Sequence, residues 1–150
     1  MTTETERLAS LIEAKHECLR QLRELGQKQL ESIASADFSL LIKILAAKQR
    51  LLTDIQNIER QLDPFRNQPP ENRDWSSTPK REHCASLAGQ CESLLKAVVA
   101  QEKESERLLT KQRDEAAQQL QRANHASQAR GAYAPTTDYL PSQIDLCSET

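Results

Sequence analysis

Aromatic side chains are nearly missing from this chain of 150 residues, which has one Trp, two Tyr and two Phe. Glycine is scarce as well, at three residues. Strands draw on aromatic and β-branched residues, and their turns draw on glycine, so a sheet protein is excluded. Three scattered glycines cannot form a phosphate-cradling loop. Neither G-x-S-x-G nor H-E-x-x-H occurs. His16, His83 and His125 stand apart, with no nucleophile or carboxylate pair at a telling spacing. An enzyme is therefore not expected, and neither is a cofactor.

No long hydrophobic run is present. The longest, Leu40 to Ala47, is broken by Lys43 and is too short to span a bilayer. The N-terminus, MTTETERLASL, has neither a basic region nor an apolar core of the signal-peptide kind. A cytoplasmic protein without membrane insertion is expected. Neither sign of charge prevails: the formal net charge is -2, with acids and bases interleaved. Without a basic block the electrostatic footprint of nucleic-acid binding is missing.

The four cysteines are Cys18, Cys84, Cys91 and Cys147. On a helix, Cys84 and Cys91 share a face about 10 Å apart, too far for a disulfide. Their spacing matches no C-x-x-C metal pattern. They read as small core residues, in preference to a metal or catalytic site built on His83, Cys84 and Cys91.

What the chain does have is Leu, Ala, Glu, Gln, Lys and Arg, the composition of long helices. The expected fold is all-α: an elongated antiparallel three-helix bundle, a coiled-coil hairpin plus a long third helix. The first helix spans about 3–35, with Gly26 inside it. Asp37 is a natural N-cap for the second, at 38–62. That helix carries Leu41, Ile44, Lys48, Leu51, Ile55, Ile58, Leu62 and Phe65 at steps of three and four. This is a heptad seam that cannot be stable alone in water. Its inward Lys48 either sets register or snorkels to solvent. Asp63-Pro64 is expected to end the helix.

A Pro-rich loop, 63–79, contains Trp75, which either folds back on the hairpin tip or meets a partner. Thr78-Pro79 then reads as a cap with Pro at the first helical position. The third helix, 79–127, has a good apolar face to Val99, a charged stretch QEKESER, and then a thin stripe: Leu108, Leu109, Ala116, Ala117, Leu120 and Ala123. The first two helices are roughly 40–50 Å long and an unbroken third is roughly 70 Å. Beyond Leu108 the third helix lacks a partner of matching length, so it overhangs, folds back or meets another chain. Its stripe is a candidate docking face for a helix. A helical domain of residues 1–128 and a flexible tail of 129–150 follow from this reading. The tail is either inert or holds a short linear motif around Tyr133, Tyr139, Leu140, Ile144 and Leu146.

The run ESIASADFSLLIKILAAKQRLLTDI, with Asp37 ahead of Leu41, Leu45, Lys48, Leu51 and Leu52, resembles the FlgN family of flagellar export chaperones. The resemblance covers roughly residues 5 to 125. It implies a cytosolic bacterial chaperone for flagellum assembly. Such a chaperone binds the terminal helix of hook-associated (hook–filament junction) proteins and delivers them to the flagellar type III export gate. By the resemblance, the cargo-binding region is the second half of the third helix, Leu108 to Ala123. Tyr133 or Tyr139 would be the aromatic that contacts the gate. The competing reading is a coiled-coil scaffold or adaptor that forms a homodimer through the same stripe.

Overall fold

The computed structural model describes residues 3–133, and these form an all-α fold. The helices are α1 (Glu4–Ala34), α2 (Phe38–Arg66) and α3 (Thr78–Tyr133), with a 3-10 turn at Pro70–Asn72. The chain divides at Thr110 into two compact units. The first holds α1, α2 and α3 up to that residue. Among the described residues, the second is the helical stretch 111–133.

Each helix start in the first unit is capped by a side chain. Thr3 and Glu6 form a reciprocal capping box on α1. The Asp37 carboxylate accepts from the Leu40 N–H at 3.2 Å and caps α2. Ser77, not Thr78, caps α3: its hydroxyl accepts from the Lys80 N–H at 3.3 Å, and Thr78 is already helical.

The turn between α1 and α2 closes without glycine. Ala36 takes φ 57°, in the left-handed region. The Asp37 N–H then bonds to Ser32 O at 2.8 Å and the Ala36 N–H bonds to Ile33 O at 3.1 Å. This pair of bonds is the Schellman closure, which satisfies carbonyls that the helix end leaves open.

Pro64 does not end α2, which continues to Arg66 with the proline inside it. Proline forfeits one backbone bond, but Phe65 is buried with Leu8, Leu11, Ile58 and Leu62, and this packing holds the last turn. Arg66 adds ion pairs to Glu59 and Asp63. Gly131 likewise lies within α3, which runs past the expected end at 127 to Tyr133. Tyr139 and the rest of 134–150 lie outside the described residues.

The seam of α2 faces inward as its spacing demands. Leu41, Ile44, Lys48, Ile58, Leu62 and Phe65 are buried, and Leu51 and Ile55 are half-buried. One apolar cluster joins the start of α1 to the end of α2. Trp75 folds back onto it, half-buried. A second cluster holds Leu19 and Leu22 of α1, Cys91, Leu94 and Val98 of α3, and Leu51 and Ile55 of α2. Burying a side chain such as Leu19 or Leu22 contributes about 1.5–3 kcal/mol.

Contacts along the first unit fix the helix directions. Lys15 pairs with Glu59, and Lys48 bonds Gln29, so α1 and α2 are antiparallel. His16 bonds Gln90 at 2.9 Å, and Gln101 donates to Arg23 O at 3.0 Å, so α3 runs parallel to α1. It follows that α2 and α3 are antiparallel.

Candidate helix-binding surface

The core of the first unit changes character beyond the second apolar cluster. There buried polar residues, Gln29 and Ser32 of α1, Lys48 of α2 and Ser105 of α3, join the buried Ile33, Leu41 and Ile44. The Lys48 ammonium donates to Gln29 Oε1 at 2.7 Å and forms an ion pair with Glu102. Lys48 therefore does not snorkel. Its charge is held between α1 and α3. Burial moves its pKa below the ordinary lysine value, because the charged form loses hydration. A polar group at one seam position penalises shifted registers, in which its partners would be lost.

The six residues of the expected docking stripe fall in both units. In the first, Leu108 is half-buried and Leu109 is exposed. In the second, Ala116, Ala117, Leu120 and Ala123 are all exposed, Leu120 by 66%. Ala116, Leu120 and Ala123 step by four and three and share one flank, whereas Ala117 lies about 100° round the helix. Tyr133 is the last residue of α3.

A second set of exposed apolar residues lies on α2. Phe38, Ile42, Leu45 and Leu52 step by four, three and seven, and form a flank beside the buried seam. Ile42 is 68% exposed. On α3 of the same unit, Leu95 and Val99 are a matching exposed pair, four residues apart. The sequence carried a signal for this flank, a second heptad register offset from the first. The unbroken seam masks it.

The remaining chemistry is that of solvated helix faces. Arg20 holds Glu17 and Glu24 in a surface ion-pair group. The hydrogen bonds from Arg20 and Gln21 lower the Glu17 carboxyl to about 2. Cys84 and Cys91 are buried, and burial raises their thiol pKa values. Their neighbour His83 is exposed. Among the described residues no group of three or more His, Cys, Asp or Glu could hold a metal ion. No described helix is long and apolar enough to cross a membrane. Comparison with protein-family models, with curated proteins and with solved structures gives no match.

Proposed function

We propose that this protein is a helix-binding chaperone of the flagellar export kind, acting in the cytoplasm on hook–filament junction proteins. The observation that carries the reading is the exposed flank of Ala116, Leu120 and Ala123 on α3. It offers an amphipathic client helix a narrow apolar track, the helix-on-helix mode of peptide recognition. One leucine between two alanines buries little area. Affinity is therefore modest, as delivery to an export gate requires. The binding step calls on no cofactor, metal or catalytic group. Tyr133 at the end of α3 and Tyr139 beyond it are the aromatic candidates for contact with the gate.

The test is co-purification with the C-terminal helical segment of a hook-associated protein. The expected outcome is a defined complex on size exclusion that Leu120→Glu abolishes. The same flank would serve a homodimeric scaffold. That reading prevails if no client complex forms while Leu120→Glu converts a dimer to a monomer.

A further inference from the structure

We propose that the first unit carries a small-molecule site of its own, a cleft beside Trp75 between the starts of α1 and α3. Its ligand is a zwitterion with an apolar body, the chemistry of an aromatic α-amino acid.

The cleft follows from one large side chain set among small ones. The segment before α3 brings Trp75 back against the cluster at the start of α1, where it is half-buried. The residues that line the cleft beside it include Ala9 and Ser10 of α1 and Ser76 just ahead of α3. None of these is large enough to fill the space that the indole holds open. A cleft of about 390 Å³ remains, within the size range of ligand pockets. Trp75, Ala9 and Pro79 give it an apolar lining. An indole face presented in this way suits a flat or aliphatic ligand body.

The charged lining selects the ligand. Glu6 and Glu13 line the cleft from α1, and Lys80 and His83 line it from α3. Glu6 is engaged by the helix cap, where its carboxylate accepts from the Thr3 N–H at 3.3 Å. That leaves Glu13 as the free acid. Glu13 and Lys80 share one cleft, yet among the described residues neither forms an ion pair, with the other or with any third group. One side of the cleft thus offers an unpaired anion and the other an unpaired cation. A ligand that is only cationic would meet Lys80, and one that is only anionic would meet Glu13. A ligand with an ammonium and a carboxylate complements both, while its apolar body lies on the indole. Glu13 and Lys80 are exposed, so each contact contributes little. The affinity is about millimolar.

Trp75 is the only tryptophan, so its emission reports occupancy of the cleft directly. The experiment titrates the full chain with phenylalanine, with phenylpropionate, which lacks the ammonium, and with phenylethylamine, which lacks the carboxylate. Phenylalanine is expected to shift the emission saturably, and each analogue to bind about fivefold more weakly. Glu13→Gln should weaken phenylalanine about fivefold without weakening phenylpropionate. Lys80→Gln should do the same without weakening phenylethylamine. Ala9→Leu, which fills the floor, should abolish binding, with helicity checked by circular dichroism. Should that variant unfold, the two exposed charge variants still decide the matter. The absence of a saturable shift overturns the proposal. So does equal affinity for all three compounds, or phenylalanine binding untouched by both Glu13→Gln and Lys80→Gln. Leu120→Glu should leave the titration unchanged, so failure here leaves the chaperone reading standing, and failure there leaves the cleft.

Discussion

Gln101 of α3 lies across Gly26 of α1, with its amide donating to Arg23 O at 3.0 Å. A Cβ at position 26 would sit 2.8 Å from Gln101 Cδ and closer still to Oε1. The glycine is thus a buried gap in α1 that the side chain of α3 fills. Two effects oppose each other in Gly26→Ala. Removing a mid-helix glycine is worth about 1 kcal/mol. Displacing Gln101 loses a hydrogen bond worth about 1 kcal/mol. Chemical denaturation of Gly26→Ala should therefore find stability within about 0.5 kcal/mol of the parent, whereas in a Gln101→Ala background the same change should stabilise by about 1 kcal/mol. Equal effects in both backgrounds would falsify the coupling.

Ala36 is the one described residue other than glycine with positive φ, and it pays for a tight reversal that Asp37 and Ser32 complete. Glycine takes this conformation without the Cβ clash. Ala36→Gly should raise stability by about 0.5–1 kcal/mol, visible as a higher midpoint at an unchanged denaturant slope. A lower midpoint would mean that restraint of the unfolded chain by alanine outweighs the strain.

The seam of α2 was legible because its period matches burial from Leu41 to Phe65, with Leu51 and Ile55 half-buried and Lys48 the one polar member. The ends of the helices were less so. Pro64 reads as a stop by its own chemistry. Phe65, buried in one cluster with Leu8 and Leu11 of α1, and the ion pairs of Arg66 carry the helix past it. The Ala36 turn lacks its usual glycine, so nothing in SIASAD marks a left-handed cap. For the candidate surface, the excess length of the third helix singled out the stripe of Leu108, Leu109, Ala116, Ala117, Leu120 and Ala123, of which Ala116, Leu120 and Ala123 share one exposed flank. The flank of Phe38, Ile42, Leu45 and Leu52 emerged only from burial, because apolar residues at neighbouring registers look alike until one register is covered.

Trp75 is the chain's only tryptophan, and it rests half-buried against the cluster of Leu8, Leu11, Ile58, Leu62 and Phe65. Its emission is thus a local probe of the end where α1 begins and α2 finishes. Leu8→Ala should red-shift that emission and cost about 2–5 kcal/mol. Leu120→Ala should leave the emission unmoved. A Trp75 spectrum that matches free tryptophan in the parent protein would contradict the fold-back.

Lys48 and Gln29 make the sharpest energetic case, because both are buried and each is the other's partner. Lys48→Met leaves the Gln29 carbonyl without its donor, at a cost of about 1–3 kcal/mol. Lys48→Met with Gln29→Leu removes both polar groups and should recover that loss or exceed it. The pH dependence has a definite sign. Burial lowers the Lys48 pKa below its ordinary 10.5. The unfolded chain therefore binds this proton more tightly than the folded one, and below the folded pKa the bound proton weakens folding. As pH rises through the folded pKa toward 10.5, the unfolded state loses that advantage and the folded state gains stability. Urea melts across this window should show the parent gaining on Lys48→Met as pH increases. Curves that stay parallel would mean that Glu102 fully offsets the lost hydration, and that the ammonium is as comfortable inside the bundle as in water.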